Sequence, residues 1–324
     1  MSKIVIVAEA LGKGGTLEAG NIFRPMLRQV GIDERDTPIL YVFNRQINGI
    51  NSVLGTKAEG IPGMPAAQRG RYVRREFSRD IEALFNQIRS INPNIIIALG
   101  ATPSWALLHQ SGIKAIRGAV AESHLGIKIL PTYEPVSVRK DWSLRPIVLA
   151  DLMKAKREST FPEIRRPRRE IWVEPTLDDI ERFFYEHIEP SPDLAIDIET
   201  KGTTITCVGF APTPSVALVI PFYDPSQSDG NYWRSLEDEL SAWEWVRLFC
   251  SLRKRIVFQN GMYDMSFLWR AMGIPTPYAS DDTMLLHHAL QPEMEKGLGF
   301  MATLHTDEAS WKFMRKTDTI KRED

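Results

Sequence analysis

The chain of 324 residues has a mass of 36.8 kDa, with 43% hydrophobic and 25% charged residues, a profile typical of folded proteins of about two domains. No apolar run reaches the ~18 residues of a membrane-spanning helix, and two cysteines, Cys207 and Cys250, exclude a disulfide scaffold or an iron–sulfur cluster bound by this chain alone. The net charge of −1 conceals an asymmetry, because residues 1–170 hold 26 Lys and Arg against 16 Asp and Glu, whereas the remainder holds 14 against 25.

This charge asymmetry suggests two modules with different electrostatic tasks. A basic half suits a phosphate backbone, and an acidic half suits cations. A chance distribution that serves only solubility would look the same. The low cysteine count fits a reducing cytoplasm and no membrane partner is expected.

Apolar runs alternate with helical patterns up to residue 157. This alternation predicts a doubly wound parallel sheet, whose ligands bind at the carboxyl ends of the strands. The run at 94–100 is uninterrupted, as in a strand buried on both faces. The predicted elements are strand 3–8, helix 19–31, strand 38–43, helix 71–91, strand 94–100, helix 103–110, strand 128–130 and helix 144–156.

Residues 157–170 hold five arginines and two prolines without an apolar period, which predicts an exposed linker over 158–170 between a domain of residues 1–157 and a domain of residues 171–324. The second domain is expected to be a mixed α/β sheet with flanking helices. Its predicted elements are strand 170–173, helix 177–188, strands 194–199, 204–211 and 215–221, helix 240–252, strand 255–259 and helices 263–272 and 283–290.

Two segments of the second domain carry acidic residues at strand ends. Asp197 and Glu199 are two residues apart on a predicted strand, so both carboxylates point to one face. Asp264 follows the later buried strand 255–259, after the turn at Asn260, in the first turn of a helix. Each segment alone also fits ordinary surface charges, but together they offer oxygen ligands that suit Mg²⁺ or Mn²⁺.

The strand D-I-E-T at 197–200, followed some 60 residues later by V-F-Q-N-G-x-x-D at 257–264, resembles the 3′–5′ exonuclease domain of family A DNA polymerases, a ribonuclease H-like fold of the DEDD, or DnaQ-like, type. The resemblance implies that Asp197, Glu199 and Asp264 are catalytic and bind two metal ions that hydrolyse a phosphodiester. Thr200 and Asn260, inside these motifs, are candidate substrate contacts.

The third motif of that family, a Tyr or His followed closely by a fourth carboxylate, has no match here. No tyrosine follows Tyr278, and His305 has no Asp or Glu four or five residues on. We therefore expect either a domain that is incomplete at its C-terminus or a site of reduced activity.

The first domain resembles the uracil-DNA glycosylase superfamily near its family 4 branch, over residues 7–12, 19–32, 95–102 and 130–135. Family members carry an aromatic residue where this chain has Gly14 and Gly15, and a histidine where it has Glu134. The cluster cysteines of family 4 are absent. A carboxylate is adverse to a developing uracil anion. The candidate pocket residues are Glu9, Tyr41, which takes the place of the uracil-reading Asn, Asn44 and Glu134.

A basic segment of the first domain suits phosphate binding and base stacking, although it also fits the polar face of the predicted helix 71–91. Its candidate nucleic-acid contacts are Arg69, Arg71, Tyr72, Arg74 and Arg75.

These resemblances together predict a DNA replication or repair protein, namely the N-terminal part of a phage-type family A DNA polymerase in an infected bacterium's cytoplasm. It would join a metal-dependent 3′–5′ exonuclease to a glycosylase-like DNA-binding module. Its partners would be single-stranded DNA or a 3′ end, and a polymerase domain. The open alternatives are a catalytically degenerate DNA-binding or replication-partner module, and a uracil-DNA glycosylase.

Overall fold

The computed structural model describes residues 3–11 and 20–308. The chain divides into two compact units, Met1–Arg165 with Gly297–Asp324, and Arg166–Lys296. The division between Arg165 and Arg166 falls inside the predicted linker, but the segment from Gly297 onward groups with the first unit, whereas the sequence places it in the second. In the described part of the chain, no helix has both the length and the apolar character needed to cross a membrane.

The first unit contains a five-stranded sheet with helices around it. The sheet order is β2-β1-β5-β7-β6, parallel throughout except for β6. The elements in chain order are β1 (Ile4–Ala10), α1 (Gly20–Gln29), β2 (Ile39–Phe43), β3 (Leu54–Gly55), β4 (Tyr72–Val73), α2 (Ser78–Ile91), β5 (Ile95–Leu99), α3 (Ala101–Leu108), α4 (Ile113–Ile116), β6 (Ala121–Glu122), β7 (Lys128–Thr132), α5 (Pro135–Lys140) and α6 (Leu144–Glu158).

The core of this unit lies on both faces of the central strands. Every residue of β5 is buried, as the uninterrupted apolar run predicts. The chain moves from β1 outward to β2 on one side and returns to β5 on the other. The strand order therefore reverses between β1 and β5, which is where ligands of open α/β sheets bind.

The predicted helix 71–91 is wrong in its first two turns. Tyr72 and Val73 instead form strand β4, which pairs antiparallel with β3, and helix α2 begins only at Ser78. Arg69 and Gly70 both have positive φ angles and reverse the chain into this hairpin. The arginine-rich segment therefore belongs to a hairpin, because pairing with β3 overrides the local helical pattern.

The second unit is built on a six-stranded mixed sheet of order β13-β12-β9-β10-β11-β8. Strand β9 lies between β12, to which it is parallel, and β10, to which it is antiparallel. The elements are β8 (Glu170–Trp172), α7 (Leu177–Phe183), which continues as a π-helical turn (Phe184–Ile188), β9 (Asp193–Lys201), β10 (Thr204–Thr213), β11 (Val216–Pro221), α8 (Leu236–Cys250), β12 (Arg255–Phe258), α9 (Met262–Met272), β13 (Ala279–Asp282) and α10 (Thr283–Leu290).

Two features of the second unit differ from the prediction. Helix α8 begins four residues earlier than expected, because the Ser235 side chain accepts a hydrogen bond from the backbone N–H of Asp238 and caps it. Strand β13 was not predicted, since its sequence Ala-Ser-Asp-Asp has no apolar alternation. With β13 at its edge, the six-stranded sheet and its flanking helices form the mixed α/β architecture that the sequence predicts.

A further unpredicted helix, α11 (Leu298–His305), packs on the first unit. The Thr303 hydroxyl accepts a hydrogen bond from buried Arg117 at 3.1 Å, and the Thr303 carbonyl accepts one from Lys154 at 2.9 Å. These contacts satisfy buried cations of the first unit, which explains why the segment from Gly297 onward belongs to it.

Candidate functional site

The acidic residues of β9 lie on its open face. Burial alternates along the strand, so that Leu194, Ile196 and Ile198 enter the core whereas Asp197 and Glu199 are exposed. This alternation follows from the two-residue period of a β-strand. The sequence prediction that the two carboxylates share a face agrees with this geometry.

The thiol of Cys207 lies close to both carboxylates. Cys207 of β10 pairs with Glu199 in the sheet register. Burial raises the pKa of the Cys207 thiol, and the negative charges of Glu199 and Asp197 raise it further. Both carboxylates therefore act on one side chain, which places them on a common electronegative surface of the sheet.

Helix α9 brings the third carboxylate to this strand. The chain turns sharply between β12 and α9 at Asn260, whose φ is 61°. A Cβ on the following residue, Gly261, would lie 2.5 Å from the Cβ of Phe258, so only glycine permits the helix to begin this close to the strand. Asp264 consequently lies in the first turn of α9 and accepts a hydrogen bond of 3.0 Å from the backbone N–H of Ile198.

Asp264 is a buried acid with negatively charged neighbours. Its exposed fraction is 4%. Burial raises the pKa of Asp264 to about 6, the Ile198 N–H opposes this rise, and the charges of Asp197 and Asp282 add to it. A nearby positive charge would therefore stabilise the ionised form of this carboxyl group.

Asp282 stabilises the turn between β12 and α9, and the remaining polar residues of the two motifs lie close by. Asp282 caps α10 and also accepts hydrogen bonds from the backbone N–H groups of Asn260 and Gly261, at 3.1 and 2.8 Å. Asn260 is thus a turn residue with an exposed side chain. The Thr200 hydroxyl forms a 2.5 Å hydrogen bond with the hydroxyl of Tyr263. Tyr263 was missed in the sequence, where its position directly before Asp264 was the only signal.

The donor chemistry of this region fits a hard divalent cation, because Asp197, Glu199 and Asp264 offer only carboxylate oxygens. Within residues 3–11 and 20–308, however, no group of three or more His, Cys, Asp or Glu side chains is arranged to hold a metal ion. Asp264 and Asp197 interact, but a three-carboxylate coordination sphere is not preformed. His305, which the sequence analysis considered for the third exonuclease motif, lies in α11 and therefore belongs to the first unit.

In the first unit, two predicted pocket residues meet at a cavity of about 570 Å³. Glu9 lies near the end of β1, and Glu134 follows β7. Glu9 accepts a 2.5 Å hydrogen bond from the hydroxyl of Thr102, which was not among the predicted pocket residues. Tyr41 and Asn44 are not among the described residues that line the cavity. Gly14 and Gly15 lie outside the described residues.

Most arginines of the basic segment form hydrogen bonds with backbone carbonyls of the hairpin to which they belong. Arg71 donates to the Leu54 carbonyl at 2.7 Å, Arg75 donates to the Gly60 carbonyl at 2.9 Å, and Arg74 donates to the Ser52 carbonyl. Tyr72 is half-buried in β4, whereas Arg69 is exposed and lines the cavity of Glu9 and Glu134. A role in phosphate binding stays a prediction for these residues.

Comparison with known proteins finds a partial relative. No family model matches the chain. The type-4 uracil-DNA glycosylase of Thermotoga maritima is 39% identical over 77 residues, which cover 22% of this chain and 40% of that relative. The match thus spans less than half of the glycosylase. It identifies a segment of this chain as a partial homologue of that enzyme.

The chain has partial similarity to three solved structures, among others. They are Brucella melitensis NrnC with bound Mg²⁺ (20% identity, TM-score 0.29, 44% of this chain and 62% of that chain), Escherichia coli RNase D, an exoribonuclease involved in structured RNA processing (15%, 0.33, 49% and 38%), and the Aedes aegypti Nibbler EXO domain (12%, 0.34, 50% and 81%). TM-scores below 0.5 do not establish a common fold.

Proposed function

We propose that the second unit is a divalent-metal-dependent 3′–5′ exonuclease acting on DNA ends, and that the first unit is a glycosylase-like module that binds DNA. The observation that carries the nuclease proposal is the position of Asp264. It is buried against β9 beside Asp197, and burial and like charges raise its pKa to about 6. A carboxyl group in such surroundings favours a bound cation.

Each residue of this site has a different proposed role. The Ile198 N–H fixes one oxygen of Asp264, while Asp197 and Glu199 face solvent, where the phosphate of a 3′ end can approach. Mg²⁺ is commonly bound by one or two carboxylates together with substrate phosphates, so a substrate oxygen would complete the ligand set that the described residues leave incomplete. Mg²⁺ or Mn²⁺ bound there would activate water and stabilise charge on the phosphate. The hydroxyls of Thr200 and Tyr263, and the side chain of Asn260, are candidate contacts to the terminal nucleotide.

The test is shortening of a 5′-labelled single-stranded DNA with Mg²⁺ or Mn²⁺. We expect stepwise loss from the 3′ end, and a rate lowered at least about a hundredfold in Asp197→Asn, since a metal ligand is removed. Asp193→Asn is the matched control. It lies on the same strand in an exposed ion pair of 3.7 Å with Arg255, which contributes little. Full activity in Asp197→Asn would refute the assignment.

The absence of a preformed three-ligand group among the described residues favours a second candidate, a catalytically degenerate module that only binds DNA. This candidate predicts binding that weakens with salt, needs no metal and leaves the labelled strand intact. The same strand in a filter-binding assay, with EDTA or Mn²⁺, distinguishes the two functions.

The polymerase context is a further part of the proposal. The order of the D-I-E-T and V-F-Q-N-G-x-x-D segments supports the N-terminal part of a phage-type family A DNA polymerase. Sequencing the coding region that follows the codon for Asp324 tests it. A reading frame that continues into polymerase motifs supports this context, and an immediate stop codon contradicts it.

A further inference from the structure

The cavity of Glu9 and Glu134 has the position and size of a ligand pocket. Its volume of about 570 Å³ is in the range of small-molecule sites. It lies at the carboxyl ends of β1, β5 and β7, beside the point between β1 and β5 where the strand order reverses. Its lining includes Glu9, Arg69, Thr102, Trp105, Lys114 and Glu134.

Two acidic residues, Glu9 and Glu134, line the cavity. Glu9 is oriented by Thr102, and a Glu134 oxygen accepts a 3.3 Å hydrogen bond from the Ser137 hydroxyl. Burial raises the pKa of Glu134, and the charge of Glu9 raises it further, so the two carboxyl groups are close enough to interact. These two carboxyl groups therefore offer hydrogen-bond acceptors to a ligand.

The rest of the wall has a different character. Ile50, Ile113 and Trp105 contribute apolar surface, and the indole N–H of Trp105 is already donated to the Pro65 carbonyl at 2.9 Å. Arg69 and Lys114 add positive charge. A flat ring with N–H donors at one end and a phosphate at the other would match all three parts of this wall.

We infer that the cavity binds a guanine nucleotide, with the base edge at Glu134 and the phosphate near Arg69 and Lys114. Among the standard bases and uracil, only guanine presents a ring N–H beside an amino group on one edge, and a carboxylate accepts both. Uracil presents one N–H between two carbonyl oxygens, which the carboxylates repel. Adenine and cytosine present an acceptor nitrogen beside their amino group. A nucleotide bound there is independent of the nuclease proposed for the second unit.

The experiment is calorimetric titration of the full chain at pH 8 with GMP, UMP, AMP and CMP. GMP should bind at least about tenfold more tightly than the others, the size of one good base contact. In Glu134→Gln, the affinity for GMP should fall about tenfold or more, whereas the affinity for UMP should rise. The reason is that an amide offers one donor and one acceptor to the uracil edge. An unfolded variant could not gain UMP affinity.

Glu122→Gln is the matched control, since Glu122 is an exposed residue of β6 outside the cavity, and it should bind like the unaltered chain. Two measurements distinguish a free nucleotide from a base within DNA. Glu134-dependent binding of GMP indicates a free nucleotide, and Glu134-dependent binding of a thymidine strand with one deoxyguanosine, compared with an all-thymidine strand, indicates a base within DNA. Equal or tighter binding of UMP, AMP or CMP than of GMP, or no effect of Glu134→Gln, would overturn the inference.

Discussion

Asp151 of the first unit and Asp264 of the second are both buried aspartates, with exposed fractions of 1% and 4%, but their neighbours have opposite charge. Asp151 accepts hydrogen bonds from the Arg117 guanidinium and from the Thr132 hydroxyl, with Lys154 close by. Burial raises the pKa of Asp151, and these cations and hydrogen bonds oppose the rise.

Asp264 has two acidic neighbours instead. Burial, Asp197 and Asp282 all raise its pKa, to about 6, and the main opposing contact is the Ile198 N–H. A buried acid that is matched by cations serves folding, whereas one that faces like charges reduces stability until a cation arrives. The comparison therefore separates a structural aspartate from a candidate functional one, which four variants or conditions can test.

The largest effect is expected from Asp151→Ala. It leaves the buried Arg117 without its carboxylate, and we expect the free energy of unfolding to fall by about 3–5 kcal/mol, measured by urea denaturation. Asp33→Ala is a control, because Asp33 is exposed and its 3.5 Å ion pair with Arg35 is exposed too. An equal loss in both variants would remove the distinction.

A smaller loss is expected from Thr303→Val, which tests whether α11 completes the same cluster. The variant removes the acceptor of the 3.1 Å hydrogen bond from Arg117, and hydrogen bonds to charged groups contribute about 1.5–3 kcal/mol. The Thr303 carbonyl that binds Lys154 is retained. Unchanged stability in urea would mean that the hydrogen bond between Arg117 and the Thr303 hydroxyl contributes nothing to the stability of the first unit.

Asp264→Asn should increase the stability of the folded protein, in contrast to the two preceding variants. The folded protein holds the Asp264 proton with a pKa of about 6, against about 3.9 when unfolded. Its contribution to stability is therefore fully present below pH ~4 and is lost as pH rises through 6. Without metal, the variant should be more stable than the unaltered chain by about 1–3 kcal/mol above pH 6 and equally stable near pH 4. Thermal unfolding from pH 4 to 8 with EDTA measures this, and a destabilised variant at pH 8 would contradict it.

The smallest expected effect is stabilisation by Mn²⁺. At ten times its dissociation constant, an ion that binds only the folded state adds about 1.4 kcal/mol. The gain should disappear in Asp264→Asn and persist in Asp193→Asn. A melting temperature that rises equally in all three proteins would indicate binding elsewhere.

Local patterns predicted most of the regular structure. The uninterrupted run around β5, the alternation of β9 and helix α10, which spans the predicted residues 283–290, all follow from period and apolarity. The elements that local patterns missed include β4, which pairing with β3 determines, and β13, an edge strand of polar sequence. In both, the partner strand is distant in sequence and supplies the stabilising hydrogen bonds.

The sequence by itself determined that Asp197 and Glu199 share a strand face, because the period of a strand is a property of the backbone alone. It also determined that Asp264 lies in the first turn of a helix, through the turn at Asn260 and Gly261. Only the tertiary structure decided that Asp264 meets Ile198, that Glu9 and Glu134 share a cavity without Tyr41, and that α11 completes the first unit. Those contacts join distant segments, and their energies come from burial and charge compensation that no local pattern encodes.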